Sequence, residues 1–213
     1  MNFQAASDRS LLICFEPEVS LRVHRSVLRL YRLLRELRPN GVYNLHPAYA
    51  SLLVEFDPLA MSHAELESRV RGSWQETPLN EPVERRVVPI PVVYGGDAGP
   101  DLIDVSVLTG LSPEDVVRLH SSVEYVVYFL GFSPGFPYLG GLPAELAAPR
   151  LPSPRKRVPA GSVAIGGNQT GIYPLDSPGG WRIIGRTALR LFEPDRDPPS
   201  LLDMGDRVRF EPL

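Results

Sequence analysis

The chain is short of the residues that much enzyme chemistry draws on. Its 213 residues include one cysteine, Cys14, so neither an internal disulfide nor a cysteine-built zinc site is possible. Cys14 lies in the apolar run LLICF and reads as a small buried hydrophobe, because nothing nearby supplies the electropositive setting of a reactive thiol. The four histidines, His24, His46, His63 and His120, are scattered without metal-ligand spacing, and no bound metal is expected. The single lysine, Lys156, is not preceded by the glycines of a phosphate-binding loop, so any nucleotide must be bound without a P-loop or on another polypeptide. No apolar run is long enough to span a membrane, and no basic segment leads into an apolar one at the start. A cytoplasmic, membrane-free protein is expected. The net charge of −3 argues against a general nucleic-acid binder.

What the chain has in abundance is glycine and proline in one place. Between Gly131 and Trp181 lie ten of the eighteen glycines and nine of the twenty-three prolines. Glycine permits positive φ and close approach, whereas proline fixes φ and removes a donor. Phe132, Phe136, Tyr138, Tyr173 and Trp181 are set among them, so the stretch reads as a shaped, ordered surface of turns and short strands rather than a linker. Charge is also divided: residues 145–190 carry +5, which leaves −8 on the remainder. Almost all of that positive charge is arginine, whose planar fork suits carboxylates and phosphates, although a base-composition bias explains the same excess.

Taken in order, Leu11–Phe15 reads as a buried strand. Apolar Val23, Val27, Leu30, Tyr31, Leu34 and Leu37 predict an amphipathic helix over 20–38, stopped by Pro39-Asn40-Gly41. Its other face carries Arg22, Arg25, Arg29, Arg32 and Arg35, either a solvated stripe or a dock for an acidic partner. Strands are predicted at 41–46 and 51–56, then a helix to about Gly72, opened by a Ser62–Glu65 capping box with Met61 and Leu66 as its staple. Val87–Val93 would complete a ferredoxin-like β-α-β-β-α-β unit, although Pro89 and Pro91 restrict it to an edge or a domain crossing. Residues 73–85, with Pro78 and Pro82, are the linker candidate. Helices follow near Pro100–Gly110 and from Ser112-Pro113 toward His120. Strands are predicted at 125–130, 162–165, 182–184, 188–192 and 207–210. Such short, turn-separated strands point to a closed or sandwiched β domain. The expected fold class is α+β, with residues 1–85 as the ferredoxin-like domain and 86–213 as the β domain.

Gly131-Phe132-Ser133-Pro134-Gly135 matches the G-x-S-x-G pattern of serine hydrolases and is a decoy. The residue after the serine must supply an oxyanion-hole N–H, and Pro134 has none; the triad histidine must follow, and the last histidine is His120. The better constellation is Arg150, Arg155 and Arg157, which Pro152, Pro154 and Pro159 keep out of any helix, beside Gly161-Ser162 and Gly166-Gly167. Guanidinium groups and glycine-turn N–H groups both favour anions, although the same arginines could bridge acidic loops. Gln169 and Tyr173 place polar tips on a turn-constrained backbone. The aromatics line either a pocket or the barrel interior, and His120 is either a satisfied structural histidine or a base.

These blocks carry a family resemblance: GF-x-PGF-x-YLGGL at 131–142, PR-x3-PR-x2-VPAGSVAIGG at 149–167, QTGIYP at 169–174, SPGGW-x-IIGRT at 177–187, with IPVVYGGDAGPDL at 90–102 and LLDMGDRVRF at 201–210. The chain resembles the KipI family, the B subunits of bacterial ATP-dependent 5-oxoprolinases, also labelled allophanate hydrolase subunit 1 and related to carboxyltransferase domains. The resemblance implies that the β domain is a cyclophilin-like barrel. It also implies a non-autonomous hydrolase subunit that joins C-type and A-type subunits to open 5-oxoproline to glutamate with ATP, a B–C hetero-oligomer being one arrangement it allows. Site residues expected on this reading are Arg150, Arg155, Arg157, Ser162, Gln169, Tyr173 and Arg186 for substrate, anion or partner, with Phe132, Phe136, Tyr138, Trp181 and His120 lining a pocket. Two alternatives stay open: an inhibitor of a sensor histidine kinase, and a carboxyltransferase-type subunit of a urea carboxylase.

Overall fold

The computed structural model describes residues 1–76 and 86–213. The chain divides into two compact units, Met1–Glu84 and Arg85–Leu213. Residues 77–85, with Pro78 and Pro82 of the expected linker, lie outside the described residues.

In the first unit, β1 (Asn2–Ser7), β2 (Ser10–Cys14), β3 (Val42–Pro47) and β4 (Ser51–Phe56) form one antiparallel sheet in the order β1-β2-β4-β3. Period-two alternation turns Leu11, Ile13, Leu52, Val54 and Phe56 to a single buried face. Helix α1 (Leu21–Leu37) buries Val23, Val27, Leu30 and Leu34, with Ser20 accepting from Val23 N–H at its start. Helix α2 (His63–Glu76) opens on the expected capping box: Ser62 N–H donates to Glu65 at 2.7 Å and Glu65 N–H to Ser62 Oγ at 3.3 Å. This helix runs past Gly72, where the sequence suggested a stop, because Trp74 is held by the Arg29 guanidinium at 4.0 Å and by Phe15.

The strand expected to finish this unit is elsewhere. β5 (Val87–Tyr94) belongs to the second unit, and the polar, exposed β1 takes a place at the sheet edge beside β2. The order in the first unit is therefore β-β-α-β-β-α.

The second unit is a closed barrel, β10-β7-β6-β13-β5-β12-β9, with β6 (Glu124–Leu130), β7 (Pro137–Gly140), β9 (Ser162–Gly166), β10 (Gln169–Ile172), β12 (Arg182–Arg186) and β13 (Arg207–Pro212). Strand β5 tolerates its prolines because it pairs in parallel with β13 from Val87 to Val92, whereas β12 meets it only at Val93 and Tyr94. The side on which Pro89 and Pro91 lack a donor thus has no ladder to break. Helices α3 (Leu102–Thr109, ended by Gly110 in the left-handed region) and α4 (Pro113–Ser121) pack against the barrel. A two-stranded sheet, β8 (Arg155–Val158) with β11 (Ser177–Gly179), stands apart from it. Residues 188–192, expected as a strand, are irregular apart from one bridge between Phe192 and Ser200. Leu191 alone of this stretch enters the barrel core, while Leu189 is exposed, so the segment does not alternate across a sheet.

Candidate functional site

Alternation along the barrel wall creates two faces of different character. Leu139, Val163, Ile165, Ile172 and Ile184 fill the interior. Their neighbours Tyr138, Ala164 and Ile183 therefore face outward, and Phe136, Val158, Tyr173 and Trp181 pack onto them as a second cluster. Phe136 is the hub, with edge-to-face contacts to Tyr173 at 5.2 Å and Trp181 at 5.6 Å and a steeply tilted one to Tyr138 at 5.1 Å. Of the two places the sequence allowed these aromatics, a pocket or the barrel interior, the interior is not the one they take: they lie outside the barrel. Glycine provides their floor: a Cβ on Gly166 would stand 2.5 Å from the Trp181 ring.

Phe132 forms the rim of this cluster. It is 62% exposed, its ring 5.5 Å from Phe136 and 6.3 Å from Tyr173. Its φ of +65° is the left-handed region, held by the tight loop in which Gly131 N–H donates to Phe136 O and Phe136 N–H to Ser133 O. Such a conformation costs a non-glycine residue about 1–2 kcal/mol. The same loop disposes of the serine-hydrolase pattern. Ser133 leads into β7 and not a helix, its N–H is spent on Gly131 O, and no histidine approaches its hydroxyl.

The three named arginines part company. Arg150 lies over Trp181 at 5.6 Å, fixed from both sides by Arg182 Nε donating to Pro149 O at 2.9 Å and Leu151 N–H donating to Gly180 O at 2.7 Å. Arg155 Nη2 donates to Asp101 Oδ1 at 2.6 Å, while its Nη1 is buried without a partner among the described residues. Arg157 is 78% exposed and donates through Nε to Asp176 Oδ2 at 2.8 Å. The Ala160 N–H, then Arg157, hold the Asp176 carboxyl below its usual range.

Asp101, Asp104 and Arg182 were not among the expected site residues. Asp101 stands at the N-cap of α3 yet makes no side-chain cap there. Its buried carboxylate instead accepts from Arg155 and from Ile183 N–H at 2.7 Å, tying α3 to β12 and β8. One turn on, Asp104 accepts from Arg182 Nη1 at 3.1 Å. The available signal is the acids in GGDAGPDLID at 95–104, which are distant in sequence from the arginine-rich 145–190 stretch but able to answer it.

Tyr173 and Tyr138 face this group. Burial pushes both phenols up, an effect opposed at Tyr173 by the Trp181 backbone N–H and by Arg150 and Arg155, and at Tyr138 by Arg150. Ser162 is buried at the start of β9, paired in register with Arg186 at the end of β12, and its carbonyl accepts from Tyr173 N–H. Gln169 opens β10 opposite Gly166.

His120 is separate from all of these, inside the barrel and fully buried. Its Nε2 is 2.9 Å from Thr170 Oγ1, and Nδ1 is 2.8 Å from the Tyr94 hydroxyl. Thr170 spends its one proton on Ala164 O, so its oxygen accepts from Nε2–H. Nδ1 then accepts from Tyr94, and the ring is neutral. Burial lowers its pKa to about 3. A groove of about 540 Å³ between Pro174–Leu175 and Phe192–Arg196 is lined by none of the residues expected from the sequence. Among the described residues no group of metal-ligating side chains comes together, and no helix is long and apolar enough to cross a membrane.

The comparisons with known proteins fit this geometry. Residues 1–202 match the model of the carboxyltransferase domain, subdomain C and D. The chain is 49% identical to the 5-oxoprolinase B subunit of Escherichia coli O157:H7, over 96% of this chain and 93% of that one. The chain belongs to the family of 5-oxoprolinase B subunits. Another member, from Bacillus subtilis (strain 168), is 42% identical over 95% of this chain and 89% of its own. Among solved structures, TTHA0988 superposes with a TM-score of 0.87 at 42% identity; 96% of this chain is covered, but it spans only 40% of that one. The K. lactis urea amidolyase, at 21% identity and a TM-score of 0.80, shares the fold over 99% of this chain and 15% of its own. The fold of these B subunits is thus recognisable both in separate chains and as one part of longer relatives.

Proposed function

We propose that this chain is the B subunit of an ATP-dependent 5-oxoprolinase and works in the cytoplasm with C-type and A-type subunits. The near-full-length identity to other B subunits carries this reading. The reaction is 5-oxoproline, ATP and water giving glutamate, ADP and phosphate. An unstrained lactam opens reluctantly, and phosphorylation of its carbonyl oxygen would make the ring carbon electrophilic: water adds there, the ring C–N bond breaks with the nitrogen leaving as the amine, and a second water hydrolyses the resulting acyl phosphate to glutamate and phosphate. The chain's own contribution is electrostatic: Arg150 forms no ion pair among the described residues, and its rigid perch over Trp181 suits a carboxylate or phosphoryl oxygen. Arg155, Arg157, Ser162, Gln169, Tyr173 and Arg186 are proposed to complete that anion-facing or partner-facing surface, with Phe132, Phe136, Tyr138 and Trp181 as its apolar wall. His120 is assigned no chemical step. An exposed, aromatic-rimmed surface suits a site finished by another polypeptide. The urea amidolyase relatives are more distant, at 24% and 22% identity over 13% of their own length.

For the fold we propose that the two units are the ferredoxin-like and cyclophilin-like domains of the family. An antiparallel sheet backed by two helices and a closed barrel support this.

The test is ATP-dependent 5-oxoproline hydrolysis by the purified chain with and without the other subunits. Turnover is expected only in the full set, and Ser133→Ala should leave it unchanged. Ester or amide hydrolysis by the isolated chain, lost in Ser133→Ala, would refute the non-autonomous reading.

A further inference from the structure

Helix α3 has its apolar side toward the outside. Its inner side holds Leu102 and Val105 in the barrel core, whereas Ile103 is 61% exposed, Val107 77% and Leu108 48%. At 100° per residue, positions 103, 107, 104 and 108 form one continuous stripe. The one charge in it, Asp104, is already answered by Arg182 at 3.1 Å. A neutralised, apolar helix face is poorly suited to solvent and suits an interface core, where charged residues are depleted.

We propose that this stripe of α3 is the seat of the C-type subunit, docked through an apolar face of its own. The inference rests on reading the chain as a 5-oxoprolinase subunit. The occupant follows from the comparison with TTHA0988, in which the same fold at 42% identity makes up only two fifths of a single polypeptide. In that relative a further polypeptide is covalently present; on the subunit reading its counterpart arrives separately and covers what the fold leaves apolar. An acidic or basic occupant does not fit, because the stripe offers no unpaired charge. Position gives the docking a consequence. The N-terminal end of α3 carries Asp101, which grips Arg155 and Ile183 N–H, and within the stripe Asp104 grips Arg182, which in turn holds Pro149 O beside Arg150. A partner seated on Ile103 and Val107 therefore bears on the helix that anchors both arginines.

Titration calorimetry measures the affinity of the full chain for a purified C-type subunit. Its variants are Val107→Glu, the milder Ile103→Ser/Val107→Ser, and Leu175→Glu at the remote groove as a control. All three sites are solvent-exposed, and circular dichroism checks that the fold is kept. Binding at least a hundredfold weaker for Val107→Glu and about tenfold weaker for the serine pair, with Leu175→Glu within threefold of the parent, is the expected result, since a charge would be buried unpaired. Parent-like binding by Val107→Glu, or no binding by the parent, overturns the proposal. So does a parent homodimer that Val107→Glu dissolves while C-type binding persists, because the stripe would then seat a second copy. Turnover of 5-oxoproline is scored separately at saturating subunits. An assembly that forms through α3 but hydrolyses no 5-oxoproline would sink the enzymatic reading and leave the docking intact.

Discussion

Acidification from pH 7 to pH 5 should destabilise the barrel unit through one residue, His120. Its ring is buried, neutral and bonded at both nitrogens, with a pKa lowered to about 3 by burial. In the unfolded chain it titrates near 6.5. The unfolded state therefore binds more protons between these values, so stability is full above about pH 6.5 and falls as pH drops toward 3. The loss approaches about 1.4 kcal/mol per pH unit and reaches about 2 kcal/mol at pH 5. That window lies above the range in which ordinary carboxylates protonate. Urea unfolding at pH 7, 6 and 5 is the assay, in a Trp74→Phe background so that fluorescence reports Trp181, the tryptophan of the barrel unit. The midpoint should fall by about 1 M over the range. His120→Gln removes the titration and should flatten the dependence whatever its absolute stability. A flat midpoint in the parent, or an equal slope in His120→Gln, would refute the neutral, doubly bonded histidine.

Two further outcomes follow from the outer wall. Gly166→Ala places a methyl group 2.5 Å from the Trp181 ring, so the ring must move; overpacking of this kind costs about 1–3 kcal/mol, and a red-shifted Trp181 emission with a lowered urea midpoint should accompany it. Arg155→Ala should cost about 3 kcal/mol by stranding the buried Asp101, and part should return in Arg155→Ala/Asp101→Asn, whereas Arg157→Ala should leave the midpoint unchanged; equal effects at the two arginines would contradict their different settings.

Where a segment's structure is dictated locally, the sequence discloses it. Helix α1 has a long apolar stripe, α2 has a reciprocal cap, and α3 ends on a glycine that adopts φ of +71°. What escaped was decided by partners distant in sequence. β1 has no apolar alternation and exists because β2 offers it an edge. Strand β5 carries the prolines of an edge strand and is one over most of its β12 side, but its parallel mate β13 lies about 120 residues further on. The aromatics could be assigned to an ordered surface from their company of glycines. Which side of the barrel wall they take depends on the phase of β7, β9 and β12, which short runs such as PYLG and SVAIG leave open.

The arginine excess between 145 and 190 illustrates the same point and separates its two explanations. Counted along the chain, the stretch is +5 and looks like an open anion trap. In the fold, Arg155 and Arg182 are answered by Asp101 and Asp104 from outside the stretch, and Arg157 by Asp176 within it. Arg150, Lys156, Arg186 and Arg190 form no ion pair among the described residues. A compositional preference for arginine has no reason to pair one with a buried carboxylate that also binds a barrel backbone N–H, because burying a charge is costly unless its partner is fixed. The Asp101 bond of Arg155 and the Asp104 and Pro149 bonds of Arg182 are thus structural commitments that tie down the 149–155 segment, and Arg155 keeps only Nη1 for the surface proposed above. That segment carries Arg150 over Trp181, and on the reading proposed above Arg150 is the guanidinium left to meet an anion.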